Sequence, residues 1–218
     1  CDVYWEDPYP VPDKPLLTVE EKVLACREAA GPGKPVWCVL QGFDWQGWRA
    51  AQNLKLGGKR TPESVAAMRA AGAIPVMRPS AAETRCMAHL AIAAGATGLI
   101  WYWSPNWAVH VKEDSPEVWS GICATVKELR SLMPWLVAEP APGDALAVPA
   151  PLRVWSRTVG NRRVVVLINP EERELRLNAV DLPEAVRAAA AVPGSEVPKD
   201  GTAWVFKPYA VMVLRPEG

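Results

Sequence analysis

Short apolar runs alternate with helix-start signals over residues 1–137, and this alternation restricts the fold more than any other feature. Residues 34–42 form a mostly apolar run, which is typical of a strand buried on both faces of a parallel sheet. Residues 99–103 and the first residues, which stop at Asp7 before a proline, indicate two more strands, and residues 74–77 a possible fourth. Strands that alternate with helices predict a parallel sheet covered by helices.

Capping signals mark where the helices between these strands begin. Thr18 with Glu21, and Ser80 with Glu83, have the spacing of a capping box. Thr61 precedes a proline at the first helical position. We therefore expect helices to begin near residues 18, 61 and 80, and a further one to begin at Ser115.

The composition and the hydrophobic pattern of the chain change after residue 137. Residues 138–150 are rich in proline and alanine, which predicts a linker. Residues 151–218 contain alternating and β-branched runs, two of them joined by a Gly160-Asn161 turn that indicates a hairpin. The prediction is an α/β domain over 1–137, a linker over 138–150, and an all-β domain over 151–218 that forms a small antiparallel β-sandwich.

Charge and cysteine usage exclude several classes of protein. Lys and Arg together number 24, as do Asp and Glu, so the chain offers no basic surface for nucleic acid or for an anionic membrane. No apolar stretch reaches a membrane-spanning length and no signal peptide is visible, so we expect a soluble chain in an unknown compartment. The five cysteines are scattered without a CxxC pair, and glycine-rich phosphate loops are absent, so neither a metal nor a cofactor is expected.

Three carboxylates near predicted strand ends are candidates for catalysis: Glu6, Asp7 and Asp44. Glycoside hydrolysis needs two carboxyl groups, about 5–5.5 Å apart for retention and about 6.5–9.5 Å apart for inversion. Neighbouring strand residues point to opposite faces, so Glu6 and Asp7 do not form such a pair with each other. The alternative is that Asp7 caps the turn before Pro8, Glu6 pairs with an arginine and Asp44 caps a loop.

Candidates for contacts with a sugar lie near the same strand ends. Nine of the eleven tryptophans precede residue 138, and an indole ring can stack on a sugar or fill a core. A glutamine amide can bind a sugar hydroxyl as both donor and acceptor. The predicted substrate-binding residues are Tyr9, Gln41, Trp45, Trp103 and Trp107.

Several segments in sequence order resemble the last strands of (β/α)8 glycoside hydrolases of the β-galactosidase-like group. They are residues 2–10, residues 34–43, and residues 78–85 leading to 95–103. The resemblance implies about half of a TIM-type barrel followed by an appended β-sandwich, and hydrolysis of β-linked sugars. In that group the acid lies on a strand that would precede residue 1, and Gln41 stands where the nucleophilic glutamate is usual.

Half a barrel leaves strand edges unpaired, which raises the question of what completes it. We expect a homodimer or a complementary N-terminal half-barrel chain to do so. The alternative function is a non-catalytic carbohydrate-binding or interaction module derived from a degenerate barrel, which Gln41 favours.

Overall fold

The computed structural model describes residues 1–43, 45, 48, 49, 53, 61–72, 79–103, 110–190 and 197–215. The chain divides into two units, Cys1–Thr125 and Val126–Gly218. In the part of the chain that the structure describes, no helix is both long and apolar enough to span a membrane.

A parallel sheet of three strands organises the first unit: β1 (Tyr4–Glu6), β2 (Val36–Gln41) and β3 (Gly98–Tyr102), in the order β1-β2-β3. The register places Trp5 opposite Trp37, and Trp37 opposite Gly98. The three predicted strands and their parallel arrangement are confirmed. The predicted fourth strand, residues 74–77, lies outside the described residues.

The helices of this unit that the structure describes are α1 (Leu17–Ala30), α2 (Pro62–Ala70), α3 (Ala81–Ala93), α4 (Val111–Asp114) and α5 (Pro116–Ser131), the last of which crosses the division between the units. The capping box at Ser80 is confirmed: its hydroxyl accepts from the Glu83 N–H, and the Glu83 carboxylate accepts from the Ser80 N–H at 2.7 Å. Thr61 is also confirmed as an N-cap, and Ser64 completes a capping box there.

The capping box predicted at Thr18 is wrong, because α1 begins at Leu17. Leu16 occupies the N-cap position and makes no side-chain cap bond. The turn that starts the helix is closed by backbone bonds instead, since the Thr18 N–H donates to the Pro15 carbonyl at 3.0 Å. Thr18 therefore already lies inside the helix.

Helices α1 and α3 pack on one face of the parallel sheet. Val36, Cys38 and Leu40 of β2 are buried on that face. The alternation of the strands then turns Trp5, Trp37, Ile100 and Tyr102 to the other face, where they are 60%, 40%, 42% and 38% exposed. We call this second face the open face.

Two antiparallel sheets, each of three strands, form the second unit. Their orders are β4-β5-β9 and β6-β8-β7. The strands are β4 (Arg153–Val159), β5 (Arg162–Ile168), β6 (Leu175–Asn178), β7 (Lys199–Asp200), β8 (Ala203–Phe206) and β9 (Val211–Leu214). The predicted hairpin is confirmed, since Val159 pairs with Arg162 around Gly160, whose φ is +62°.

One hydrophobic core lies between elements of both antiparallel sheets, and a helix contributes to it. Helix α6 (Met133–Leu136) precedes the sheets, and α7 (Glu184–Ala190) adds Val186 and Ala189 to the core beside Leu167 and Phe206. The expectation that this region is all-β is therefore wrong. The sequence of α7, EAVRAAA, is too rich in alanine to favour a strand.

Residues 138–150, predicted to form a linker, are bonded to β4 through Asp144. Its carboxylate accepts from the Ala141 N–H at 2.8 Å and from the Thr158 hydroxyl at 2.7 Å. The Ser156 hydroxyl donates to the Asp144 carbonyl at 2.6 Å. Burial opposes ionisation of Asp144, but the hydrogen bonds from Thr158 and Ala141 and the charge of Arg163 outweigh it and lower the pKa of the carboxyl group.

Candidate functional site

A groove of about 660 Å³ lies on the open face of the parallel sheet and reaches the carboxyl ends of its strands. The strands contribute Trp5, Trp37, Val39, Ile100 and Tyr102, and Val3 lies just before β1. The segments that follow β1 and β2 contribute Asp7, Tyr9, Phe43, Trp45 and Trp48. Most of these side chains are apolar or aromatic. A concave apolar surface with few polar groups is the usual form of a small-molecule site.

Asp7 and Glu6 point to opposite faces of the sheet, as the strand geometry predicts. Asp7 lines the groove. Glu6 lies on the face covered by helices, where its Oε1 is 3.2 Å from the Nζ of Lys22 on α1. Of the carboxylates among the described residues, Asp7 is the one that lines the groove.

Asp7 and Tyr9 both line the groove. Burial of Tyr9 is the main reason that its pKa is raised above the ordinary value, and the negative charge of Asp7 adds to the shift. The hydroxyl therefore remains protonated, and a donor, over the whole physiological range. Besides the indole N–H groups, the polar side-chain groups of the described groove lining are the Asp7 carboxylate and the hydroxyls of Tyr9 and Tyr102.

Aromatic rings surround Tyr9 at the carboxyl end of the sheet. The Phe43 ring meets it edge-on with centroids 5.0 Å apart, and the Tyr102 ring stacks on it at 5.9 Å with an interplanar angle of 26°. The Trp45 indole N–H donates to the Tyr9 carbonyl at 3.1 Å. Trp48 lies 5.5 Å from Trp45, ring centroid to ring centroid. Flat aromatic surfaces of this kind suit the apolar face of a sugar ring.

The Gln41 side chain bonds to backbone groups and does not line the groove. Its side chain is fully buried, and its Oε1 accepts from the Val11 N–H at 2.8 Å. Its Nε2 donates to the Val11 carbonyl at 2.6 Å and to the Phe43 carbonyl at 2.9 Å. The amide thus joins the segment after β1 to the segment after β2, which positions the aromatic rings above it.

The remaining predicted residues are not brought together with Asp7. Trp103 does not line the groove; it packs near Gly42, where an added Cβ would lie 3.8 Å from its ring. Asp44 and Trp107 lie outside the described residues. The structure therefore places three predicted site residues in the groove: Asp7, Tyr9 and Trp45.

Five aromatic groove residues were missed by the sequence predictions: Trp5, Trp37, Phe43, Trp48 and Tyr102. The alternation that placed Asp7 also placed Trp5 on its face, so a signal existed for Trp5. The place of Trp37 depends on strand register, because its ring lies over β3 at Gly98. A Cβ added to Gly98 would lie 2.6 Å from that ring.

The described residues support binding more fully than they support a complete catalytic pair. One carboxylate lines the groove, whereas glycoside hydrolysis by the usual mechanisms requires two. Within the described ranges, no group of three or more His, Cys, Asp or Glu residues could hold a metal ion.

No family model matches the chain, and no curated protein matches it. Several solved structures are similar to it. One is the cyclic α-maltosyl-(1→6)-maltose hydrolase from Arthrobacter globiformis in its ligand-free form, with 13% identity and a TM-score of 0.39 over 99% of this chain and 56% of that chain. Another is Eubacterium rectale Amy13B, with 9% identity and a TM-score of 0.42 over 93% of this chain and 44% of that one.

A third similar structure is the trehalose-6-phosphate hydrolase of Bacillus licheniformis, with 15% identity and a TM-score of 0.36 over 98% of this chain and 42% of that chain. The chain thus spans about half the length of these proteins. Two of the three are named as hydrolases of maltose- or trehalose-containing sugars, and none is named as a β-galactosidase. At these identities and TM-scores the likeness carries no argument about activity, so the assignment of a function depends on the groove itself.

Proposed function

We propose that this chain supplies a carbohydrate-binding groove and one catalytic carboxylate, Asp7, to a glycoside hydrolase. The observation that carries the proposal is the place of Asp7, directly after the carboxyl end of parallel strand β1 and inside a groove lined with aromatic rings. Barrel enzymes place their active sites at this end of their strands. Asp7 is the described group in the groove that can act as a nucleophile or as a general base.

The reaction class follows from what a lone carboxylate among aromatic rings can do. Aromatic faces hold a sugar ring in place, and a carboxylate beside it stabilises an oxocarbenium-like transition state or activates water. We propose β-linked sugars as substrates because of the sequence resemblance to the β-galactosidase-like group. Glu6, paired with Lys22 on the other face, is not part of the proposed site.

We propose further that the parallel sheet is about half of a (β/α)8 barrel and that another chain completes it. A parallel sheet is normally buried on both faces, yet Trp5 and Trp37 are 60% and 40% exposed on the open face. Hydrolysis also needs a second carboxylate beside Asp7. A second copy or a complementary half-barrel chain would supply both the cover and that carboxylate.

Substitution of the two neighbouring carboxylates tests the assignment of Asp7. We expect Asp7→Asn to lower kcat on the best substrate of an α- and β-nitrophenyl glycoside panel by roughly 10²–10⁴-fold. Glu6→Gln is the matched control, since it alters the adjacent residue on the opposite face. We expect it to leave kcat close to that of the unaltered chain.

Two results would contradict the proposal: full activity in Asp7→Asn, or a loss confined to Glu6→Gln. A second candidate function, a non-catalytic carbohydrate-binding module, is favoured by the lone carboxylate in the described groove. It predicts that no glycoside is hydrolysed while saccharides still quench the tryptophan fluorescence of the folded chain.

A further inference from the structure

The indole N–H of Trp48 is a buried hydrogen-bond donor in the wall of the groove. Trp48 lines the groove, and its Nε1 is buried and donates to no acceptor in the described structure. A buried indole N–H usually finds an acceptor, because leaving such a donor unpaired costs free energy. We propose that Trp48 is a specificity-determining residue whose N–H donates to an oxygen atom of a bound sugar. This inference rests on the proposed function, because it places the sugar in the groove that Asp7 lines.

The neighbouring indole, that of Trp45, has the partner that Trp48 lacks. The Trp45 N–H donates to the Tyr9 carbonyl at 3.1 Å, which fixes the orientation of its ring. The Trp48 ring is held by ring contacts alone, edge-on to Trp45 at 5.5 Å and tilted by 39° to Phe43 at 6.4 Å. Since no hydrogen bond among the described residues fixes the Trp48 indole, the ring can turn its N–H towards an acceptor that enters the groove.

Three other buried side-chain groups in the described ranges also have no hydrogen-bond partner, namely those of Thr84, Trp101 and Trp103. None of these three residues lines the groove. A ligand in the groove can therefore supply the missing partner to Trp48 but not to the other three. This difference makes Trp101 and Trp103 internal comparisons for Trp48.

The surroundings of Trp48 favour a neutral oxygen as the acceptor. The indole N–H carries no charge and can only donate, so it binds a hydroxyl or ring oxygen without requiring an anion. The rings of Phe43 and Trp45 beside it offer apolar surface for the carbon face of the same sugar. A sugar that lacks the oxygen would leave the donor unpaired, and a site built to bind a polar group discriminates against such an analogue.

Trp48→Phe tests the donor, because it keeps an aromatic ring and removes the N–H. The probes are methyl β-glucopyranoside, methyl β-galactopyranoside and each monodeoxy derivative of the two, with binding measured by calorimetry on the full chain. We expect the substitution to weaken binding of the better parent glycoside by roughly 3- to 10-fold. Trp119→Phe is the matched control, since Trp119 is exposed on α5 and does not line the groove, and it should leave the affinity unchanged.

The monodeoxy derivatives identify the oxygen that accepts the bond. One derivative should bind the unaltered chain more weakly than its parent by a similar factor. The same derivative should lose no further affinity in Trp48→Phe, because both changes remove the same hydrogen bond. If the loss in Trp48→Phe is the same for the parent and for every derivative, the N–H does not read a sugar oxygen and the inference is overturned.

The indole N–H resonances give a second measurement that needs no substitution. In the chain labelled with ¹⁵N at the indole nitrogen, the Trp48 signal is assigned through its contact with the Trp45 ring. We expect this signal to move downfield as methyl glycoside is added, because its proton gains an acceptor, while the signals of Trp101 and Trp103 stay in place. An unmoved Trp48 signal at saturating glycoside, or equal movement of all three, overturns the inference.

The two proposals fail in different ways. If nitrophenyl glycosides are hydrolysed but the Trp48 signal does not respond to sugar, the role of Trp48 is wrong and the proposed function stands. If methyl glycosides bind and couple to Trp48 but no glycoside is hydrolysed, the catalytic proposal is wrong and the role of Trp48 stands. Failure of every glycoside to bind the folded chain overturns the role of Trp48.

Discussion

At the scale of single residues, Gln41 shows how one buried amide can organise the end of a sheet. It sits at the last position of β2, where its three hydrogen bonds reach the backbone of Val11 and Phe43. Both of those residues lie in segments that lead to groove side chains. The amide can therefore influence the groove without touching a ligand.

We expect Gln41→Leu to destabilise the fold by about 2–4 kcal/mol, because it leaves buried backbone groups of Val11 and Phe43 without their partner. Val11 is 1% exposed, so water is a poor substitute. Denaturant unfolding followed by tryptophan fluorescence measures the change. A loss smaller than about 0.5 kcal/mol, the usual range for a surface substitution, would contradict this account of Gln41.

At the scale of secondary-structure elements, the helix starts differ in how they are held. Helix α3 begins with two reciprocal bonds between Ser80 and Glu83, whereas α1 begins without a side-chain cap. Ser80 and Thr18 have the same spacing to a glutamate in the sequence, yet only the first spacing forms a capping box. The difference arises because α1 is already closed by the bond from Thr18 to Pro15.

We expect Ser80→Ala to lower the free energy of unfolding by about 1 kcal/mol, because the Glu83 N–H loses its acceptor. Thr18→Ala is the comparison, and we expect a change within about 0.5 kcal/mol because Thr18 is not a cap. Denaturant unfolding measures both free energies, and we expect neither substitution to change how steeply the free energy of unfolding falls with denaturant concentration. Equal losses for the two variants would show that the caps do not explain the difference.

At the scale of the whole molecule, the parallel sheet has one face covered by α1 and α3 and one open face. Among the described strands, β1 and β3 each pair with β2 alone. Exposed aromatic side chains beside unpaired strand edges are typical of a surface that another protein covers. The partner proposed to cover this face is also the proposed source of the second carboxylate, so the proposed activity depends on the proposed assembly.

If a second copy covers the open face, we expect sedimentation to give a mass above that of one chain. Trp37→Asp should lower the measured mass to that of one chain, because the substitution would bury a charge in the contact. Trp119→Ala is the control, because Trp119 is 39% exposed on α5 and does not line the groove. A mass of one chain at every concentration would rule out a second copy and leave the complementary chain as the partner to seek.

Much of the local structure could be predicted because local structure depends on nearby residues. The run at residues 34–42 and the Gly160-Asn161 turn carried their own signals, and both formed as expected. Helix α7 was missed because it has only seven residues, and packing of Val186 into the core stabilises it. The candidate site was predicted in part, with Asp7, Tyr9 and Trp45 placed in the groove.

The sequence by itself determined that Glu6 and Asp7 point apart, since side chains alternate along any strand. Only the tertiary structure decided that Asp7 is the one in the groove, because α1 packs on the other face and pairs Lys22 with Glu6. It also decided that Gln41 bonds to Val11, thirty residues away along the chain, and that Trp37 lies over Gly98. Such contacts depend on strand register and loop closure, which join residues too distant in sequence for a local pattern to record.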